Sequence, residues 1–137
     1  MATRASVDTS ALLAAASPRD QYHNEAVASG RRFLASGGRW LGTTLVLAEL
    51  HTHLLHRHGP ARARAAISRL LDDPAYEWVD APVPLLREAV SVWLDGFPDQ
   101  RFSLTDAVTF AVMRRERIRA AFAFDQAFVK AGFELLR

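Results

Sequence analysis

The chain contains no cysteine among its 137 residues, which excludes disulfide bonds and thiolate metal ligands. It has no apolar run of about 18 residues, the length that a membrane-spanning helix requires, and its first residues lack the apolar core of a signal peptide. We therefore expect a cytoplasmic protein with no membrane association. Lysine is nearly absent as well. Lys130 is the one lysine of the sequence, which has 16 arginines. Arginine binds phosphate, but a GC-rich genome is the better explanation of this excess.

The composition is that of a folded protein. Half of the residues are hydrophobic and 23% are charged, as in ordinary globular domains. A chain of this length buries a core of its own and is expected to form one domain over residues 1–137. The net charge of +2 is too small to indicate nucleic-acid binding by itself.

Short apolar segments alternate with helical patterns along the chain, which favours an α/β fold with a mainly parallel sheet. The first apolar segment ends at Asp8, and a helical pattern begins directly after it. We expect this segment to be the central strand of the sheet. Further strands are predicted over residues 40–42, 76–79, 120–124 and 133–136.

Four acids stand apart from the others by their positions in this pattern. Asp8 and Asp125 each follow a predicted buried strand, Asp106 lies in the first turn of the helix that Ser103 begins, and Glu49 lies in an apolar helix. Parallel central strands place Asp8 and Asp125 at the same sheet edge, where ligands bind in open α/β folds. Helices begin at this edge too, so we expect Asp106 and Glu49 to approach them.

Each acid also has a purely structural explanation. Asp8 and Asp125 are suited to cap the helices that follow them, and Ser103 with Asp106 has the pattern of a capping box. Glu49 lies on an apolar helical face and needs a partner, which an arginine would supply as an ion pair. Structural roles and a shared site are both compatible with the sequence.

Convergence of the four acids would have a chemical consequence. Two carboxylates about 4 Å apart repel by roughly 4 kcal/mol at an effective dielectric constant near 20, so such a group protonates, attracts arginines or binds a cation. Oxygen ligands without cysteine suit Mg²⁺ or Mn²⁺ better than zinc. A divalent ion beside a phosphodiester activates water and offsets charge on the attacked and leaving oxygens. Hydrolysis of nucleic acid is therefore the chemistry that this arrangement suits best.

Four fragments of the sequence carry a resemblance to a known family. They are residues 7–12, Glu49 within the apolar segment 45–50, residues 103–107, and residues 124–128 followed by Gly132 and Phe133. In this order and at these intervals they resemble a PIN domain, specifically the small VapC-type toxins of bacterial toxin–antitoxin pairs. The resemblance implies a three-layer α/β/α sandwich with a mainly parallel central sheet, and an endoribonuclease that depends on Mg²⁺ or Mn²⁺.

The resemblance also implies residue roles and partners. The hydroxyl groups of Ser10 and Thr105 match positions that support the site, whereas Ala123 and Ala127 stand where members often carry polar residues that contact metal. The implied partners are an RNA substrate, a second copy of the chain in a homodimer, and a small antitoxin that places an arginine among the acids. The catalytic and metal-binding acids are expected at Asp8, Glu49, Asp106 and Asp125.

Two groups of residues outside these fragments bear on function. Arg114 and Arg115 follow the helix of Asp106 and are suited either to the negative end of that helix or to RNA phosphate. The histidines of the helix after Thr43 suggest a metal site, but no two of them are four residues apart. We therefore expect them to be solvated or to lie in an interface. These histidines are His51, His53, His56 and His58.

Two other functions use the same residues. A non-catalytic RNA-binding or scaffold protein would keep the fold without needing all four acids. A metal-dependent phosphoesterase for small substrates would need the acids within a closed pocket. The complete set of acids favours the nuclease over the first alternative.

Overall fold

The computed structural model describes residues 3–136. Its centre is a parallel five-stranded sheet with strand order β3-β2-β1-β4-β5. The first strand is central, as the sequence predicts, and the last strand lies at an edge. The strands are β1 Arg4–Val7, β2 Arg39–Thr43, β3 Tyr76–Val79, β4 Ala120–Phe122 and β5 Glu134–Leu135.

Seven α-helices connect and cover these strands within the described residues. Thr43 begins the third helix by accepting a hydrogen bond from the Val46 amide through its hydroxyl oxygen. That helix ends at Gly59, whose φ of 84° suits glycine. No helix in this part of the chain is long and apolar enough to span a membrane. The helices are α1 Thr9–Ala16, α2 His23–Ala35, α3 Thr44–His58, α4 Pro60–Asp72, α5 Val83–Glu88, α6 Leu104–Glu116 and α7 Ala127–Lys130.

Both faces of the sheet are covered, because neighbouring residues of each strand point to opposite sides. In β2, Trp40 packs into the core beneath α1 to α4, and Leu41 packs into the core beneath α5 to α7. Trp40 is 2% exposed and Leu41 is 1% exposed. The predicted α/β class and the three-layer α/β/α arrangement are confirmed.

Two local predictions are wrong. The apolar pattern after Pro82 predicts a helix with Val83, Leu86, Val90 and Trp93 on one side, but Val83 and Val90 are 59% and 41% exposed. A π-helical turn over Ala89–Leu94 continues α5, and its wider turn shifts the buried face to Leu85, Ala89 and Trp93. Strand β4 ends at Phe122, earlier than predicted, because the amide of Phe124 donates to the Ser10 side chain at 3.0 Å.

The parallel sheet brings the ends of β1 and β4 together. The backbone amide of Asp8, directly after β1, donates to the carbonyl of Phe122 at the end of β4 with a distance of 3.0 Å. Helix α1 begins at this carboxyl edge, and so does α3 after β2. This edge therefore collects the ends of adjacent strands and the first turns of helices.

Candidate active site

A cavity of about 410 Å³ lies at the carboxyl edge of the sheet. Its lining includes Asp8 after β1, Glu49 from α3, Asp106 from α6 and Asp125 after β4. We call it the acid cavity. The four acids, which are separated by up to 117 positions in the chain, are thus brought to one place.

Asp8 is fixed by the residue two positions after it. Its Oδ2 accepts hydrogen bonds from the Ser10 amide at 3.1 Å and from the Ser10 hydroxyl at 2.6 Å. The same hydroxyl oxygen accepts the Phe124 amide, so Ser10 links the segment after β1 to the segment after β4. This contact places Asp8 beside Asp125 and gives the predicted supporting residue Ser10 a defined structural role.

Burial dominates the electrostatics of Asp8, which is 3% exposed. The loss of solvation raises the pKa of Asp8 from 3.8 to about 6, the two hydrogen bonds from Ser10 lower it, and the charges of Asp106 and Asp125 raise it. Keeping Asp8 ionised near neutral pH therefore costs free energy in the folded protein.

Asp106 lies in the first turn of α6. It forms a capping box with Ser103: its Oδ2 accepts the Ser103 amide at 3.1 Å, and its own amide donates to the Ser103 hydroxyl at 3.0 Å. Burial raises the pKa of Asp106, the hydrogen bonds from Ser103 oppose that shift, and the charges of Asp125 and Glu49 add to it. These mutual effects show that the carboxylates are close enough to interact.

Asp125 and Glu49 are more open to solvent than the other two acids. Asp125 is exposed, and its Oδ1 accepts the Ala127 amide at 2.8 Å at the start of α7. Glu49 is half-buried and forms no ion pair within residues 3–136. The described residues therefore do not supply the ion pair that would have explained Glu49 structurally.

Helix capping and a shared site coexist at the three aspartates. Each uses a single carboxylate oxygen for its cap, which is Oδ2 in Asp8 and Asp106 and Oδ1 in Asp125. The second oxygen of each accepts no hydrogen bond from the described residues. The caps thus orient the aspartates and leave one oxygen of each available to a ligand.

The four acids share one cavity, but in the described residues they are not arranged as a closed metal-binding site. In the described part of the chain, no three Asp, Glu or His side chains are arranged closely enough to hold a single ion, and none of the four acids has a basic partner within 4.0 Å. Repulsion among unneutralised carboxylates opposes closer approach. Glu49 is half-buried and Asp125 is exposed, so these two side chains have room to rotate towards a cation.

Three further polar or charged residues line the acid cavity without having been predicted there. Arg101 and His53 lie at its exposed rim, and Thr9 lies in its wall with a buried hydroxyl that has no hydrogen-bond partner within residues 3–136. His53 had a detectable signal, because it stands four residues after Glu49 on the same helical face. Thr105, by contrast, is half-buried and does not line the cavity.

The other predicted residues lie away from the acids. Arg114 and Arg115 are exposed in the last turn of α6, about 12 Å along the helix from Asp106. Among the histidines of α3, His56 is exposed, and His58 Nε2 lies 3.1 Å from the Ser17 hydroxyl. The contribution of Arg114 and Arg115 to RNA binding remains a prediction.

Comparison with known proteins identifies the class to which this fold and site belong. The family model of the PIN domain matches residues 5–134, and the chain belongs to the PIN domain family. Nucleases of this family generally depend on metal ions, in keeping with a cavity lined by four unpaired acids. The family resemblance derived from the sequence is confirmed.

Particular relatives agree with this assignment. The 23S rRNA-specific endonuclease VapC20 of Mycobacterium tuberculosis, found in two strains, is 42% identical over 94 residues, which are 67% of this chain and 69% of that protein. The crystal structure of VapC20, described as a sarcin–ricin loop cleaving toxin, superposes with a TM-score of 0.82 at 32% identity and covers 93% of this chain and 95% of that one. VapBC2 of Rickettsia felis, bound to a DNA fragment from its promoter, shares the fold with a TM-score of 0.68 at 12% identity, covering 97% of both chains.

Proposed function

We propose that this chain is a metal-dependent endoribonuclease that hydrolyses RNA phosphodiester bonds, acting as the toxin of a toxin–antitoxin pair. The observation that carries the proposal is the acid cavity, where Asp8, Glu49, Asp106 and Asp125 meet without a basic partner among the described residues. The similarity to VapC20, an rRNA-specific endonuclease, supports RNA as the substrate class.

The donor set of the acid cavity fits Mg²⁺ or Mn²⁺. All four acids offer oxygen ligands, which these hard cations prefer. Burial raises the pKa of Asp8, and the charges of Asp106 and Asp125 add to that rise, so a bound cation would stabilise the carboxylate form. Asp8, Asp106 and Asp125 would hold the ion through the oxygens not used for capping, and Glu49 would complete the shell. The bound ion would supply an activated water and neutralise charge on the phosphate.

The protein itself contributes orientation and substrate contacts. Ser10 and Ser103 hold the carboxylates of Asp8 and Asp106 in fixed positions, so little reorganisation is required when substrate binds. Arg101 at the rim of the acid cavity is suited to bind a phosphate oxygen through its guanidinium group. The exposed rim leaves the acids accessible to a long polymer, which favours RNA over a small phosphate ester.

Replacement of Asp8 tests this proposal directly. We expect Asp8→Asn to reduce RNA cleavage at least about a thousandfold, the upper range for removal of one charge-stabilising group from an active site. The variant preserves the side-chain shape and is expected to fold. Asp99→Asn is the matched control, because Asp99 is an exposed acid outside the acid cavity.

The assay uses RNA and a phosphomonoester in parallel, each with Mg²⁺ or with EDTA. Cleavage of RNA that requires the metal and Asp8 is the expected result. Undiminished cleavage by purified Asp8→Asn would refute the catalytic assignment. Hydrolysis of the monoester alone would indicate a small-molecule phosphoesterase, and RNA binding without hydrolysis would indicate a scaffold.

The proposal extends to partners and location. A cytoplasmic homodimer inhibited by a small antitoxin follows from the likeness to VapC-type toxins. An exposed apolar surface next to Ser103, formed by Val83, Val90 and Leu104 around a cavity of about 590 Å³, is available for a protein contact. Light scattering of the purified chain and co-purification with the product of a neighbouring small reading frame test these two partners.

A further inference from the structure

A second cavity, at the other end of α1, differs from the acid cavity in its charge. It has a volume of about 510 Å³, and its lining includes Arg19, Arg57 and Arg62, with Asp20 as its acidic member. We call it the arginine cavity. A smaller cavity of about 330 Å³ shares Arg62 with it and adds Arg69, which extends the basic surface along α4.

Two of the arginines have no ion-pair partner in the described part of the chain. Asp20 Oδ2 lies 3.5 Å from Arg57 Nη1, whereas Arg19 and Arg62 are exposed and form no ion pair within residues 3–136. Grouped guanidinium groups without counter-charge favour an anion, and their planar forks match the geometry of phosphate. The arginine cavity is therefore suited to a phosphate group.

Helices α1 and α3 lead from the acid cavity to the arginine cavity. Ser10 and Glu49 line the first cavity, and Ser17 and Arg57 line the second. The separation along the helices is about 10 Å in α1 and about 12 Å in α3. A single strand of RNA that is bound at the acids and follows these helices therefore passes the arginine cavity within a few nucleotides.

An exposed aromatic ring lies between the two cavities. The rings of Tyr22 and Phe124 are stacked, with centroids 4.6 Å apart and planes 6° from parallel. Phe124 adjoins Asp125 of the acid cavity, and the Tyr22 amide donates to Asp20 of the arginine cavity at 2.9 Å. Phe124 covers one face of Tyr22, yet the residue is still 39% exposed, which leaves its ring accessible for stacking by a base.

We propose that Tyr22 and the arginine cavity form a subsite for a nucleotide that flanks the cleaved bond, with its base stacked on Tyr22 and its phosphate bound by Arg19 and Arg62. Single-stranded RNA is recognised by this combination of aromatic stacking and basic contacts. A free phosphate or an acidic peptide would use the arginines but would not need the aromatic ring. The subsite rests on the proposed ribonuclease function.

Binding of RNA to the full chain tests the subsite. The probe is an unstructured RNA of about 12 nucleotides, within the usual range of single-strand site sizes, measured with Mg²⁺ in the Asp8→Asn background. We expect Arg19→Ala/Arg62→Ala to weaken binding roughly tenfold and to make the slope of log K against log salt shallower by about 0.7 for each phosphate that is no longer neutralised. Arg64→Ala is the control, because exposed Arg64 lies on α4 but lines neither cavity.

Replacement of Tyr22 tests the stacking component. We expect Tyr22→Ala to weaken binding about tenfold and Tyr22→Phe to retain it, because stacking needs the ring and not the hydroxyl. Circular dichroism and thermal unfolding of each variant identify any that misfold. Tyr22→Phe keeps the ring contact with Phe124, so it remains interpretable if Tyr22→Ala is unstable.

The outcomes separate the subsite from the catalytic site. If Arg19→Ala/Arg62→Ala binds RNA as well as Arg64→Ala does, the subsite is wrong, and the arginines then serve another anion such as an acidic protein segment. Retention of RNA cleavage by Asp8→Asn would instead overturn the proposed function together with the subsite. Loss of affinity in the double variant, with cleavage abolished in Asp8→Asn, supports both.

Discussion

The acidic side chains at the two edges of the sheet differ in their ion pairing. Near the amino edge, Arg4 Nη1 lies 3.4 Å from Glu77 Oε1 and 3.1 Å from Glu116 Oε1, and Arg115 Nε lies 3.5 Å from the second oxygen of Glu116. At the carboxyl edge, the four acids of the acid cavity have no such partner in the described part of the chain. The chain has 17 lysines and arginines for 15 acids, so a shortage of cations does not explain the difference.

Under the proposed function, this contrast separates acids that stabilise the fold from acids that bind a ligand. Paired surface acids contribute little to stability and little to chemistry. A buried carboxylate without a counter-charge lowers the stability of the protein without ligand, and the raised pKa of Asp8 reflects this cost. Strongly perturbed ionisable groups that line one cavity are typical of functional sites.

The largest effect on stability is expected from removal of the Asp8 charge. The pKa of Asp8 is about 6 in the folded protein and 3.8 ordinarily. Between these two pH values, the folded state therefore holds a proton on Asp8 that the unfolded state has lost. Stability without metal therefore falls as the pH rises from about 4 to about 6, by up to about 3 kcal/mol. Urea unfolding in EDTA at pH 4 and pH 8 is expected to show this fall in the wild type and a smaller fall in Asp8→Asn, in which the buried Asp106 still has a raised pKa. An equal fall in both proteins would show that the pH dependence does not come from a raised pKa of Asp8.

A smaller effect is expected from Ser10→Ala, which tests how the acid cavity is held together. The variant removes a donor to Asp8 and leaves the Phe124 amide without its acceptor. We expect a loss of about 1–2 kcal/mol in the free energy of unfolding, the usual cost of an unsatisfied polar group, together with slower RNA cleavage. Ser10→Thr retains the hydroxyl and is the control. Unchanged stability and cleavage in Ser10→Ala would mean that Ser10 does not position the site.

The smallest effect is expected at the amino edge. Arg4→Ala removes both ion pairs of Arg4, whose side chain is 31% exposed beside partners that are 46% and 29% exposed. We expect destabilisation of about 1 kcal/mol or less, because solvent screens such pairs, and no change in RNA cleavage. Thermal unfolding and the RNA assay measure the two quantities. A loss of cleavage would show that the two edges are coupled and would remove the contrast between them.

Sequence patterns predict most of the fold because its signals are local. The alternation of apolar segments and helical periods gives the order of the elements, and the acid after the first strand indicates the functional edge of the sheet. The π-helical turn at Ala89–Leu94 escapes prediction, because its buried face depends on packing against α6 and not on a residue type. The early end of β4 depends on Ser10, which lies 114 positions from Phe124 in the chain.

The sequence predicts the acids of the candidate site but not the residues around them. The caps of Asp8 and Asp106 follow from residue type and position, and their location at the edge follows from strand order. The rim residue Arg101 and the arginine cavity carry no comparable signal, because exposed arginines occur throughout this sequence. Only the folded chain separates Arg19 and Arg62, which share a cavity, from Arg64, which does not.

Thermal unfolding with and without a divalent ion tests the central claim most directly, because it does not depend on knowing the RNA. At about 100 times its dissociation constant, Mn²⁺ or Mg²⁺ is expected to stabilise the wild type by about 2.7 kcal/mol relative to EDTA at matched ionic strength. Asp99→Asn should show the same gain, and Asp8→Asn and Asp106→Asn should lose most of it. An equal gain in all four proteins, or no gain in the wild type, would contradict the assignment of the acid cavity as a metal site.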